Sequence, residues 1–329
     1  MKRFEYYLQQ IEQLLAQAAG QENPGLWLYK NNFRTPLFML EALSKMYAVF
    51  YSTKKLTKLK ERFKFLEDLL GGADFYDAFA KEFVADKTIP GSVINYLQAQ
   101  LEEKIRSLNN TLDEKNWVKG NKRIIKIKKR LAEIIWEKEE TEIDLLKEYY
   151  KNEIAATIDF MQAKNFHFEN IETDVHELRR KLRWLSIYPQ ALRGIVQLIK
   201  NEPAPEHLTK YLTPEIVNSP FNKMPDAADY KNFLLLEQNY FLALSWMIAE
   251  LGKIKDRGLR VLALKEALQK TEGITEEEAV IKAYELLGNE QPQIQQLLAE
   301  AERICKVYFL EKNLENLVVR VVTAEGLHG

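Results

Sequence analysis

Between Asp174 and Leu185 the chain carries two interlocked stripes of helical period. Val175, Leu178, Leu182 and Leu185 make an apolar face. His176, Arg179, Arg180 and Arg183 sit at i, i+3, i+4 and i+7, which stacks one histidine and three guanidiniums along the face beside it. The same period dominates elsewhere, so the expectation is an all-α fold. Helices are predicted at 2–19, 26–52, 55–70, 74–84, 91–112, 119–164, 172–200, 228–252, 256–271, 276–288 and 291–320. Asp174, Thr275 and Asn289 are the expected caps of three of them. Strand-like alternation is nearly absent. Its best candidate, Leu317–Val322, reads as a helix end, and the apolar window Leu234–Leu251, broken by Glu237 and Glu250, reads as a buried helix.

Like charges on one helix face repel, and only Glu177 lies close to the arginine row. Two readings stay open. In one the arginines are solvated, or paired with acids such as Glu139, Glu140 and Glu142. In the other they face an anion, for which the forked guanidinium suits bidentate contact with phosphate or carboxylate. The segment Lys119–Arg130 adds seven basic residues and no acid. Lys122 and Lys126 share a face with Lys129 and Arg130, Arg123 lies beside it, and Ile124, Ile127 and Leu131 point to the core. A third run, Lys54–Lys64, contains Glu61 and distributes its charges around the helix, which reads as a solvated surface.

The formal net charge of −1 places any anion site locally on a balanced surface, and a nucleic-acid partner is not the expectation. Hydrophobic residues make up 46%, enough for a large core over 329 residues. Cys305 is the one cysteine, which rules out a disulfide within the chain and suits a cytoplasmic protein. The N-terminal run Met-Lys-Arg-Phe-Glu-Tyr-Tyr lacks the apolar stretch of a signal peptide, and no transmembrane segment is expected.

Chemistry-bearing motifs are sparse. His167, His176, His207 and His328 show no metal-ligand spacing, His328 reads as a frayed end, and no DDxxD, Glu-x-x-His, phosphate-loop or dinucleotide motif occurs. No serine or cysteine nucleophile constellation is visible. The expectation is a non-enzymatic binder without cofactor or metal. The tryptophans read as core, with Trp184 beside Arg183 the one place where base stacking could start.

Two landmarks suggest a duplication. Asn31 and Arg34 can be laid on His176 and Arg179, an offset of 145; Leu70-Gly71 can be laid on Leu251-Gly252, an offset of 181. The difference of 36 is close to the length of Asn201–Lys231, which holds Pro203, Pro205, Pro214, Pro220 and Pro225 and reads as an excursion.

The run Val175-His176-Glu177-Leu178-Arg179-Arg180-Lys181-Leu182-Arg183 resembles the signature of the CHAD domain, the conserved histidine α-helical domain. Leu70-Gly71 followed by Asp74 and Asp77 is similar to the end of that family's next helix, and Lys119–Arg130 to a further basic helix. The resemblance implies two pseudo-repeated helical bundles packed around a central basic cleft, here residues 1–165 and 166–329 with the excursion at 201–231. It also implies binding of inorganic polyphosphate or another phosphate-rich anion, with Arg34, His176, Arg179 and Arg183 at anion-binding positions. Asn31 stands in place of the first-half histidine, and Phe38, Met39 and Glu41 in place of arginines. That erosion leaves open a divergent scaffold which has lost the anion and serves a protein partner.

Overall fold

Phe4, Tyr7, Leu8, Ile11, Leu15 and Ala18 are all buried, and their spacing makes one apolar stripe along α1 (Lys2–Ala18). The computed structural model describes residues 1–51, 53–227 and 230–323. α2 (Pro24–Lys30) begins where the Asn23 side chain accepts from the Leu26 amide, with Pro24 in the first turn. α3 (Arg34–Phe50) packs on α1 and on the 31-residue α4 (Lys54–Val84), where Thr53 Oγ1 accepts from the Lys55 amide. α5 (Gly91–Glu114) packs on α4. A short 3-10 turn leads into α6 (Lys122–Ala132), which packs on α1 and buries Ile124, Ile127 and Leu131.

α7 (Glu139–Ala163) is followed by a π-helical turn, Ile171–His176, that runs into α8 (Glu177–Leu192). The chain then forms β1 (Val196–Ile199), the short α9 (Pro214–Val217), β2 (Asn232–Glu237), α10 (Gln238–Glu272), α11 (Glu276–Leu287), α12 (Ile294–Leu310) and β3 (Val318–Thr323). β2 is the middle strand. It runs parallel to β1 (Val196 opposite Leu234) and antiparallel to β3 (Leu234 opposite Val321). Two compact units result: Met1–Ile135 with Leu259–Gln291, and Trp136–Gly258 with Pro292–Gly329. Each is assembled from two sequence segments, and the change from one to the other falls inside α10.

The protein is mostly helical, as its periodicity suggests, but the three-stranded sheet in the second unit corrects an all-helical reading. Phe233, Leu234, Leu235 and Leu236 are at most 2% exposed. A strand covered on both faces has no period-2 alternation to betray it, which is why the segment resembles a buried helix. Leu317–Val322 is largely β3 rather than the end of the last helix, which stops at Leu310.

Several helices differ in extent from the expectation: residues 26–52 hold α2 and α3, the two helices expected over 55–70 and 74–84 are the single α4, and the one expected over 172–200 ends at Leu192 ahead of β1. The single helix expected over 119–164 is broken between Ala132 and Glu139, and the two expected over 228–271 are one helix from Gln238. That helix starts directly at the end of β2, because the buried Glu237 carboxylate caps it, accepting from the Tyr240 amide at 2.8 Å and from the Asn239 side chain at 3.0 Å. The excursion carries α9 and two 3-10 turns, Glu206–Tyr211 and Pro220–Asn222.

Of the expected caps, Thr275 forms a capping box with Glu278, whereas Gln293 and Gln296 do this for α12 in place of Asn289. Asn170, not Asp174, caps the turn before α8. Among the described residues, no helix is long and apolar enough to cross a membrane.

Candidate anion-binding groove

In the first unit the first turns of α4 and the face of α6 enclose an open groove of about 380 Å³. Lys54, Lys55 and Lys58 come from α4, and Lys126, Lys129 and Arg130 from α6, with Glu133 just beyond. Six cations and one carboxylate therefore line it, a net charge of +5. Helical spacing aligns each set: Lys54 and Lys58 are one turn apart, as are Lys126 and Arg130. Lys55 pairs with Glu133 at 2.7 Å, and this hydrogen bond and charge hold the Glu133 carboxyl below its usual pKa. Among the described residues, the other five cations have no carboxylate within ion-pair distance.

One turn past Lys58 on α4 lies Arg62, whose Nη1 is buried without a hydrogen-bond partner. Burial lowers its pKa, and the charges of Arg130 and Arg123 lower it further, against a smaller opposing effect of Glu61. Like charges held this close in one region cost free energy unless an anion offsets them. Arg123 donates from Nε to the Lys115 carbonyl at 2.8 Å, and its guanidinium lies 5.9 Å from the Trp117 ring. Lys122 is exposed on α6. Of the expected residues, Lys126 thus lines the groove, and Arg123 is close enough for its charge to act on Arg62. Lys54, Lys55, Lys58 and Arg62 come from the run read as solvated surface. The available signal was the turn spacing of Lys54 and Lys58, opposite a helix whose own face carries no acid.

The remaining expected residues are engaged within their own units. Arg34 donates from Nε to Glu67 at 2.7 Å and from Nη1 to Asp74 at 3.0 Å, with Nη2 also 2.6 Å from Glu67. Its guanidinium lies against Gly71, where a Cβ would approach Nη2 to 2.8 Å. Arg179 donates from Nε to the Ile248 carbonyl at 3.1 Å and lies against Gly252, where a Cβ would stand 3.1 Å from Nε. Burial lowers the Arg179 pKa, opposed by the nearby Asp256. Arg180 pairs with Glu177 at 3.1 Å, His176 Nδ1 is 3.1 Å from Glu172, and Arg183 is half-buried along α8. Glu139 does not meet this row; it accepts from the backbone amides of Lys231 and Asn232 at 2.6 and 2.7 Å. Trp184 stacks on Tyr188 at 5.8 Å, and His328 lies outside the described residues. Among the described residues no group of three or more His, Cys, Asp or Glu is placed to hold a metal ion.

The turn that leads into α8 is held by Asp174. Its buried carboxylate accepts from the amides of Glu169 at 2.8 Å and Asn170 at 3.0 Å, and pairs with Lys164 at 2.7 Å. Burial alone would raise this pKa, but the Lys164 hydrogen bond and the two amides outweigh it and hold it below the usual value. A carboxyl depressed in the folded state contributes stability above its unfolded pKa, and that contribution is lost as pH falls through the folded pKa. Asp174→Asn is therefore expected to lower stability by about 1–3 kcal/mol at neutral pH. The deficit should shrink below roughly pH 4. Urea midpoints of both proteins at pH 7 and pH 3 check both parts.

Comparison with known proteins finds no match among family models, curated proteins or solved structures.

Proposed function

We propose that this protein is a non-enzymatic binder of a phosphate-rich anion, inorganic polyphosphate being the best match, and that it binds in the α4/α6 groove. One observation carries the reading: six cations converge on one groove, five of them without a described carboxylate partner, in a chain whose formal net charge is −1. Lysines dominate the lining, and their flexible point charges suit a repeating anion without fixed geometry. The CHAD resemblance supports the same ligand chemistry from other residues. The two arginine–glycine contacts, Arg34 on Gly71 and Arg179 on Gly252, support its duplicated helical arrangement, because they are the two pairs that the sequence offset aligns.

Binding of long-chain polyphosphate should be detectable by calorimetry at low salt. It should weaken by at least about tenfold between 50 and 200 mM salt, as counterions released from the polyanion are replaced. Absence of heat at low salt would overturn the assignment.

A second reading, a scaffold for a protein partner, draws on a different observation. Arg34 and Arg179 are held by groups of their own units, while Phe221 in the excursion is 78% exposed with Val217 nearby in sequence, also exposed. Retention of a protein from lysate by the wild type but not by Phe221→Ser would favour it.

A further inference from the structure

The outward face of α6 carries more than charge. Around that helix Lys122, Ile125, Lys126 and Lys129 fall in one arc, opposite the buried Ile124, Ile127 and Leu131. Ile125 is 59% exposed, and Ile135, just past Glu133 and the end of the groove, is 91% exposed. On α4, Phe65 lies seven residues after Lys58, on the same helical face, and is 52% exposed. Large apolar side chains standing among lysines gain nothing from a soluble polyanion, which would leave them in water. A boundary with phosphate headgroups outside and hydrocarbon beneath satisfies both kinds of side chain at once.

We propose that the α4/α6 face of the first unit docks on an anionic lipid surface. Lys54, Lys58, Lys126 and Lys129 contact headgroup phosphates, while Ile125 and Ile135 enter the acyl boundary. This rests on the groove being the anion site and names the phosphate source as a bilayer. A single-stranded nucleic acid offers the same phosphates but needs successive aromatic platforms, and the groove lining contains none. The short basic helix fits a peripheral contact, in which lysine stems lie along the interface and their ammonium groups reach the phosphates.

The test is flotation of the full chain with vesicles of phosphatidylcholine alone and of phosphatidylcholine mixed with phosphatidylglycerol, alongside calorimetry with polyphosphate in the same buffer. Wild-type protein should float only with the anionic vesicles and should detach at high salt. Ile125→Ser combined with Ile135→Ser, both exposed and so tolerated by the fold, should reduce vesicle binding roughly tenfold and leave polyphosphate binding unchanged. Protein that binds polyphosphate yet ignores anionic vesicles overturns the lipid proposal and leaves the anion-binding reading standing. Equal flotation of the serine variant, or equal binding to neutral vesicles, also overturns the proposal. Failure of the polyphosphate arm at low salt counts against the anion-binding reading itself.

Discussion

Reversing Lys126, Lys129 and Arg130 together to glutamate is expected to abolish polyphosphate binding, a loss of at least about 100-fold at low salt. Each reversal changes the lining by two charges, so the groove passes from a net +5 to −1. The substitutions fall on the face of α6 that points away from its core residues, and glutamate is a good helix former, so the helix should persist. Removing Arg130, whose charge acts on Arg62, together with two further cations of the lining should even relieve repulsion within the free protein. The expected pattern is thus loss of ligand with unchanged or slightly raised thermal stability. Calorimetry and a melting curve on the same preparation read both quantities. Retained binding would move the site away from this groove, and Arg183 would become the next residue to reverse.

The second large effect concerns the turn between α8 and β1. Gly194 has φ +96°, and a Cβ there would lie 2.0 Å from the backbone carbonyl oxygen of Asp226. Neither partner can yield cheaply. The Gln197 side chain donates to the carbonyls of Gly194 at 2.7 Å and Pro225 at 3.1 Å, which holds the excursion against this turn. Arg193 is already left-handed at φ 52°, so the reversal uses two unusual residues in succession. Gly194→Ala combines strain in a backbone region closed to alanine with a clash against main chain, and should cost about 3 kcal/mol or more. Gly91→Ala is the control: nothing lies within 4 Å of its added Cβ, it opens α5, and its effect should be close to zero. Urea denaturation of the two variants beside the wild type decides the matter. A difference below about 1 kcal/mol at Gly194 would contradict the described turn.

How much of this was legible in the sequence depended on whether a segment shows one face to water. Ile124, Ile127 and Leu131, and likewise Val175, Leu178, Leu182 and Leu185, alternate with charged residues at helical period, and every one of them is buried. β2 gave no such contrast, because both its faces are covered. β3 placed Val318, Val319, Val321 and Val322 in plain view, but its partner strand lies some eighty residues earlier, and no local pattern announces such a pairing.

The groove divides in the same way. Lys126 and Arg123 stood out because α6 has no acid to neutralise them. Lys54, Lys55 and Lys58 looked ordinary because Glu61 follows closely, and their charges acquire meaning only once α6 lies alongside. The arginine row of α8 was visible as a pattern. Its individual tasks were not, since the Ile248 carbonyl that receives Arg179, 69 residues on, and the glycine beneath it belong to a distant helix.

The lone thiol of the chain offers something of practical use. Cys305 sits on the buried side of α12, where burial pushes its pKa up and shields it from reagent, so its alkylation is expected to wait on local opening of that helix. Alkylation by excess reagent therefore proceeds at a speed set by that opening. The native protein carries its own stopwatch for the second unit. Its ticking can be followed with and without ligand, and no dye or engineered label has to be introduced.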